Sequence, residues 1–221
     1  MSIASRLLKA NPSVQVSDTL TGDFTVPSRK GDFYTPLSNQ FEGLANVTVT
    51  TDTSSVVLSG LSAFDSYSVL RVMYRIRSTG SSQNGEEIYV RWNNISTSTY
   101  NRGYHGVYHV SGEYGAGYGT HTNLAQNTSA SIIGFTPDAS ALPYNYAYGY
   151  FDMYDAQNTN KKKAVMGEYW CAKGDTWSPS FHGLAHVSHN TNTLPSSIDL
   201  SCSAGNVAAG SIVQLYGFKG Y

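Results

Sequence analysis

The chain has 221 residues, of which only 13% are charged and 13% are aromatic, with 17 tyrosines, 21 glycines and a formal net charge of −1. About a quarter of the residues are charged in an average soluble domain, so much of this surface must consist of hydroxyl, amide and glycine groups, as is common in secreted, virion and cell-surface β proteins. The near-neutral charge argues against a nucleic-acid partner, because nucleic-acid binding needs a basic surface facing the phosphates.

Residues 1–40 are predicted to form an extended N-terminal arm. A short apolar helical stripe stops at Pro12, and a helix this short is marginal unless it lies against something. Short apolar segments separated by polar and proline residues follow it. Two interpretations stay open: a disordered leader, or an arm that orders when it docks on a partner. The apolar side chains expected to dock are Ile3, Leu7, Leu8, Val14, Val16 and Phe24.

Strands are predicted from about residue 41 onward. In residues 67–77 apolar and basic side chains alternate, which is typical of a strand with one buried face. Residues 88–92 repeat this pattern, and residues 78–85 between them are rich in turn formers, so we expect the two strands to form a long-looped hairpin. The side chains expected to face the core are Leu70, Val72, Tyr74, Ile76, Ile88, Val90 and Trp92.

The rest of the chain indicates an all-β domain over residues 41–221. Many short strands joined by polar or glycine-rich loops favour a jelly-roll-like antiparallel β-sandwich, with residues 1–40 as its extended arm. Residues 104–119, dense in glycine and tyrosine, are predicted to form a long loop. The further strands are expected at residues 47–50, 55–58, 106–110, 131–135, 145–153, 163–170, 181–187, 197–202 and 211–218.

One of these strands has an unusual pattern. Tyr146, Tyr148 and Tyr150 alternate with Ala147 and Gly149. We expect one face of this strand to carry a row of aromatic rings and the other face to allow close approach of a neighbour.

The histidines near residue 185 have the spacing of a metal site without its other features. His182 and His186 are four residues apart, but Gly183 occupies the position of the glutamate in the zinc-protease motif. In a strand His182 and His186 share one face and His189 lies on the other, so the three rings cannot converge without a bend. We therefore expect no metal site.

No pattern of catalytic residues stands out. A nucleophile elbow is missing, and the glycines of residues 115–119 are not followed by the helix that a phosphate-binding loop requires. Asp152, Asp155, Glu86 and Glu87 are carboxylates from which a glycosidase pair could be drawn, but they are more simply solubilising groups. We expect no catalytic residues and no cofactor.

Carbohydrate binding is the more serious alternative. Exposed tyrosine and tryptophan rings can stack on sugars while neighbouring loops supply hydrogen bonds. The competing interpretation is that the tyrosines fill the sandwich and Trp92 belongs to the core. The candidate glycan-binding residues are Tyr100, Tyr104, Tyr114, Tyr118 and Trp177.

Cys171 and Cys202 are expected to be buried thiols, and the sequence does not determine whether they pair. No apolar run approaches the roughly 18 residues of a transmembrane helix, and residues 1–10 lack the continuous apolar stretch of a signal peptide. We expect neither membrane insertion nor export through a cleaved signal.

Three segments resemble virion proteins of tailed bacteriophages. Residues 87–94 (EIYVRWNN), followed by Tyr100 and Asn101, resemble a strand-and-loop signature of this broad group. Residues 151–163 (FDMYDAQNTNKKK) resemble a strand and turn of the group, and residues 208–220 (AAGSIVQLYGFKG) are similar to its terminal strand. The segments occur in the same order as in the group.

This resemblance implies a β-sandwich structural protein of the virion, located on the capsid or the tail, with no catalytic residues to transfer. Ile95 and Ser96 stand where the group often has an aspartate, so any ligand role of that acid does not carry over. A chain assembled in bacterial cytoplasm would also keep its thiols reduced.

We therefore expect an external capsid decoration or cement protein, or a small tail accessory, that its arm anchors to other virion proteins. A homo-oligomer is expected, because linked copies raise the effective concentration of modest contacts. Two alternatives remain: a tail or fibre module that recognises host surface glycans, and an enzyme that acts on surface polysaccharide through Asp152 or Asp155.

Overall fold

The computed structural model describes residues 14–16, 41–81, 86–97, 100–109, 118–137, 139–154, 156, 158, 160, 162–172, 180–190 and 194–219. These ranges form thirteen strands and a short 3-10 helix, Leu61–Phe64. They contain no helix long and apolar enough to cross a membrane. The strands are β1 (Val14–Val16), β2 (Phe41–Val49), β3 (Ser55–Ser59), β4 (Val69–Ile76), β5 (Glu86–Trp92), β6 (Tyr100–His109), β7 (Tyr118–Thr128), β8 (Ser131–Thr136), β9 (Ala147–Tyr154), β10 (Lys163–Ala172), β11 (Ser180–His189), β12 (Ser197–Cys202) and β13 (Ile212–Phe218).

The strands form two packed antiparallel sheets. The large sheet has the order β1-β2-β13-β4-β9-β10-β11-β6-β7, and the small sheet has the order β3-β12-β5-β8. Within them the strands β2-β13-β4-β9 face the small sheet β3-β12-β5-β8. Taken in chain order, these eight strands alternate between the two sheets at every step except from β5 to β8. This is the eight-stranded order of a jelly roll, which confirms the predicted fold class.

Two hairpins are inserted into this jelly roll. β6 and β7 pair with each other, as do β10 and β11, and both pairs belong to the large sheet. β10 adds to β9, and β11 then pairs with β6, so the insertions extend the large sheet beyond β9. β8 of the small sheet packs under this extension against β10, β11 and β6.

The core lies between the sheets and follows the predicted alternation. The seven side chains expected to face inward, from Leu70 to Trp92, are all buried. The expected hairpin of the two strands is wrong, because β4 pairs with β13 and β9, whereas β5 pairs with β12 and β8 in the other sheet. Alternation determines which side chains face the core, but it carries no information on the pairing partner.

The strand expected at residues 106–110 is found as part of β6, and the long loop also predicted over residues 104–119 is corrected in two places. Residues 104–109 belong to β6, and residues 118 and 119 begin β7. Gly106 lies opposite Gly183 of β11, and a Cβ atom on Gly106 would lie 2.8 Å from the hydroxyl of Tyr169. The glycine is therefore needed to make room for a buried ring, although it resembles a loop residue in the sequence.

The extension of the large sheet has an aromatic core of its own. The ring of Phe135 in β8 lies 5.5 Å from that of Tyr104, 5.8 Å from that of Tyr169 and 5.1 Å from that of Phe181. These distances are typical of favourable aromatic pairs. A single ring of the small sheet thus packs against β6, β10 and β11.

The turn after β5 ties this strand to the start of β12. Asn93 and Asn94 have φ angles of 52° and 54°, a left-handed conformation that asparagine tolerates better than most residues. The side-chain oxygen of Asn93 accepts hydrogen bonds from the amides of Ser196 and Ser197 at 2.7 and 3.1 Å, and its amide group donates to the carbonyl of Leu194 at 2.9 Å. The asparagines of the first phage-like segment therefore have a structural role.

Part of the predicted arm belongs to the large sheet. Val14 and Val16 lie in β1, which pairs with residues 47–49 of β2. The other predicted docking residues, Ile3, Leu7, Leu8 and Phe24, lie outside the described residues.

The two cysteines lie in different sheets and do not form a disulfide. Cys171 lies on β10 and is buried, whereas Cys202 lies on β12 and is partly exposed to solvent. Desolvation raises the pKa of the Cys202 thiol to about 12, so this group stays protonated and unreactive at neutral pH.

Candidate functional site

The outer face of the large sheet carries an unusual number of exposed apolar side chains. Met166 is 62% exposed and Leu184 is 60% exposed, although both lie in the middle of strands. We call this group of side chains on β4, β9, β10 and β11 the outer platform, and its members are Met73, Tyr148, Tyr150, Tyr154, Met166, Trp170 and Leu184.

Strand register brings the aromatic members together. Tyr148 of β9 lies directly opposite Trp170 of β10, and their ring centroids are 6.1 Å apart with an angle of 36° between the planes. Tyr150 and Tyr154 follow on the same face of β9, since side chains of a strand alternate. The inward residues Ala147 and Gly149 leave room for the Tyr74 ring, as a Cβ atom on Gly149 would collide with it. The predicted aromatic face is confirmed for Tyr148 and Tyr150, as is the close approach at Gly149, whereas Tyr146 precedes β9 and is buried.

An ion pair lies at one side of the platform. Arg71 of β4 is opposite Asp152 of β9 and donates two hydrogen bonds to its carboxylate, at 2.6 and 2.7 Å. The guanidinium also lies 4.5 Å from the centre of the Tyr150 ring. The hydrogen bonds to Asp152 raise the pKa of Arg71, against the opposing effect of burial. Asp152 therefore offers a fixed carboxylate edge next to an aromatic ring.

A second ion pair lies on the other side and is more open to solvent. The imidazole of His182 is 2.7 Å from the carboxylate of Glu168, and these side chains are 54% and 41% exposed. His182 is the register partner of Trp170. Both acidic groups of this face thus have a basic neighbour on the adjacent strand.

A shallow depression runs between the strands that carry the platform. Its volume is about 520 Å³, within the range of about 300–1,000 Å³ that is common for small-molecule sites. The side chains around it include Tyr150, Asp152, Tyr154, Met166, Leu184 and His186. It therefore combines apolar walls with a few hydrogen-bonding groups.

The histidines lie as the strand pattern predicts. His182 and His186 project from the outer face of β11, whereas His189 is buried between Trp92 and Tyr100, at ring distances of 5.5 and 4.6 Å. Within the described ranges no cluster of three or more histidine, cysteine, aspartate or glutamate side chains could hold a metal ion.

The predicted glycan-binding residues do not come together in the described structure. Tyr100 and Tyr104 are buried, and Tyr100 stacks on Trp92 at 5.4 Å. Tyr104 packs against Phe135, so both side chains belong to the core and are not the exposed rings that the prediction required. Tyr114 and Trp177 lie outside the described residues, and Tyr118 is placed only as the first residue of β7.

The described carboxylates named as candidate acids are divided between the two sheets, with Glu86 and Glu87 on β5 and Asp152 on β9. Glu86 is on β5 in the small sheet, where it is buried and accepts a hydrogen bond of 2.6 Å from the hydroxyl of Ser203. Asp152 is on β9 in the large sheet and is bound to Arg71. Glu87 accepts a hydrogen bond from Tyr89 at 2.8 Å, and Asp155 lies outside the described residues.

Five of the seven members of the outer platform, all except Tyr148 and Tyr150, were missed by sequence reasoning, although a signal exists for three of them. Met166 and Trp170 are an even number of residues from Glu168, so the three side chains share one face of β10. Leu184 shares a face of β11 with His182 and His186 in the same way. An apolar residue on the strand face that otherwise carries polar side chains is expected to be exposed to solvent. Only Tyr148 and Tyr150 stood out, because they belong to a tyrosine repeat within five residues.

Comparison with known proteins adds little. No protein-family model matches the sequence, and a search of curated proteins gives no match. One similar solved structure is a GH43 glycoside hydrolase engineered to display both endo-xylanase and exo-arabinofuranosidase activity, with 10% sequence identity and a TM-score of 0.36. The alignment covers 82% of this chain and 36% of that enzyme chain, so the present chain spans about a third of its length. A likeness this distant transfers no activity.

Proposed function

We propose that this chain is a structural protein of a tailed-bacteriophage virion, displayed outside the particle as a capsid decoration or cement subunit or as a small tail accessory, and without enzymatic activity. The observation that carries the proposal is the resemblance of three segments, in order, to proteins of this kind. The partners would be other virion proteins and further copies of the chain.

The positions of the three segments in the fold support this proposal. Trp92 of the first segment donates its indole N–H to the sulfur of Met153 in the second segment, at 3.2 Å. The third segment contains β13, which lies between β2 and β4 in the large sheet. The resembling residues thus build the core and the centre of the sandwich, as expected if the shared property is a fold used in assembly.

The composition also supports a role in assembly. A surface with few charges costs less to desolvate in a subunit interface than a highly charged one. Residues 1–12 contain Ile3, Leu7 and Leu8 and precede the strand that joins the large sheet. In the proposal these apolar residues anchor the chain to its neighbour on the particle.

Selective truncation tests the anchor. Deleting residues 2–12 removes the three apolar residues and retains β1, whose pairing with β2 belongs to the fold. We expect a folded protein that no longer copurifies with phage particles. A matched pair of variants sharpens the test: serine at Ile3, Leu7 and Leu8 should abolish incorporation, and alanine at Ser2, Ser5 and Lys9 should not. Normal incorporation of the truncated chain would overturn the anchoring role.

Counting copies per particle tests the virion assignment itself. Quantitative mass spectrometry of purified phage should find the full chain in every particle. Hundreds of copies would indicate capsid decoration, and a few dozen or fewer would indicate the tail or a vertex. Complete absence from purified particles would refute the proposal.

A further inference from the structure

The outer platform has features of a ligand site that the assembly role does not use. It places exposed aromatic rings, a shallow depression and fixed polar groups on one face of the large sheet. We infer that this face binds a neutral oligosaccharide that extends from the Tyr148–Trp170 ring pair into the neighbouring depression between β9, β10 and β11. The inference concerns the purified chain and does not depend on where the chain lies in a virion.

The size of the platform favours a small ligand over a protein partner. The four neighbouring strands that carry the platform, β4, β9, β10 and β11, span about 15 Å, and the stretch of β9 from Tyr148 to Tyr154 is about 20 Å long. The face therefore offers about 300 Å², whereas a stable protein complex buries about 800 Å² on each partner. A short oligosaccharide fits a face of this area.

The charges of the platform are arranged in pairs. Arg71 is bound to Asp152, and His182 is bound to Glu168. Arg75, at the edge of the face, has its guanidinium 3.9 Å from the ring centre of Tyr146. Each acidic group of this face is thus already engaged by a neighbouring side chain, which favours an uncharged ligand.

The side chains offer the two kinds of contact that a sugar requires. Its C–H faces pack on aromatic rings, and Tyr148 and Trp170 present such rings side by side with about half of each side chain exposed. Its hydroxyl groups need donors and acceptors in fixed positions, which Asp152 and His186 supply at the rim of the depression. Because Asp152 is held by two hydrogen bonds from Arg71, little ordering is needed when a ligand binds.

Titration of the full chain with defined saccharides tests the inference. The probes are neutral hexasaccharides of glucose, galactose and mannose, with an anionic galacturonate hexamer as a comparison, and binding is measured by calorimetry and ligand-observed NMR. We expect saturable binding of at least one neutral probe. Trp170→Ala and Tyr148→Ala should each weaken it about tenfold or more, as expected for the loss of one stacked ring.

Tyr144 provides a matched control, because it is 70% exposed and lies in the loop before β9, outside the platform. Tyr144→Ala should bind as the parent chain does. Failure of every neutral probe to bind, equal losses in all three variants, or binding of the anionic probe alone would overturn the inference. Self-association that Trp170→Ala abolishes would instead identify the platform as an interface between copies, and would also overturn it. None of these outcomes alters the copy number in phage particles, so the virion proposal is tested separately.

Discussion

Arg71 and Asp152 lie opposite each other on β4 and β9, and the carboxylate accepts two hydrogen bonds from the guanidinium at 2.6 and 2.7 Å. The two residues are 81 positions apart in the chain, so the pair fixes the register between distant strands. Asp152 is only 6% exposed although it lies on the outer face. A bidentate pair in this setting is stronger than an ordinary surface ion pair.

Replacing Asp152 by alanine should therefore destabilise the fold. We expect the free energy of unfolding to fall by about 1–3 kcal/mol, because the half-buried guanidinium of Arg71 loses both acceptors. Urea denaturation followed by tryptophan fluorescence measures this change. Glu168→Ala is the control, since the Glu168–His182 pair is exposed and such pairs contribute little. Equal losses in the two variants would contradict the distinction between the pairs.

Asn93 should be more sensitive to substitution than its neighbour Asn94. Asn93→Ala removes the acceptor shared by Ser196 and Ser197 and leaves alanine at a φ angle of 52°. We expect a loss of about 2–4 kcal/mol, with Asn93→Gly recovering the part that comes from backbone conformation. Asn94→Gly should be neutral or slightly stabilising, as its φ angle of 54° suits glycine. Thermal unfolding of the three variants gives the ranking, and a reversed order would refute this view of the turn.

The hydroxyl of Tyr100 should contribute to stability. It accepts a hydrogen bond from the backbone amide of Trp92 and donates one to the carbonyl of Ile95, both at 3.0 Å. Tyr100→Phe leaves both backbone groups without this partner, and we expect a loss of about 1–3 kcal/mol by chemical denaturation. Tyr154→Phe is the control, because its ring is exposed and its hydroxyl makes only a 3.5 Å contact with Asp152. A neutral Tyr100→Phe would show that the buried hydroxyl is dispensable.

Asp199 should make stability fall as the pH rises. Desolvation on β12 raises the pKa of its carboxyl above the ordinary 3.8, against the opposing effects of Ser55 and Arg91. The folded chain then holds this proton more tightly than the unfolded chain, so ionisation destabilises the fold as the pH rises from the ordinary pKa through the raised one.

Asp199→Asn removes this ionisation while retaining the shape of the side chain. The variant and the parent should have similar stability near about pH 3, and the variant should become the more stable of the two as the pH approaches about 7. Other carboxyls titrate in both proteins and cancel in the difference of unfolding temperatures. A difference that does not change with pH would contradict the raised pKa.

The strands could be predicted from the sequence because each needs only local information. Alternation placed Leu70 and Val72 in the core and Arg71 outside, as the structure has them. Pairing partners require information from distant residues, so the expected hairpin of β4 and β5 was wrong. A strand was expected at residues 106–110, but its full extent in β6 was not, because residues 104–119 are dense in glycine and tyrosine and were also interpreted as a loop. Gly106 instead makes space for Tyr169 on β10.

The candidate site was harder to predict than the fold. Tyr100 and Tyr104 have the residue type of a sugar-binding ring, but burial depends on the sheet that packs over them. Trp170 was not singled out, because its exposure follows from its position on the outer face of β10. Residue type indicates the chemistry available, and only the tertiary structure determines which rings meet solvent.

The position of β13 has a consequence for synthesis on the ribosome. β13 pairs with both β2 and β4, yet it is the last of the described strands to be translated. More than a hundred residues separate β13 from β4. At ordinary translation rates their synthesis takes roughly ten seconds or more, and until then β2 and β4 have no β13 to pair with. Open strand edges promote aggregation. The yield of folded chain should therefore rise when expression is lowered by weaker induction, because fewer incomplete chains are then present together.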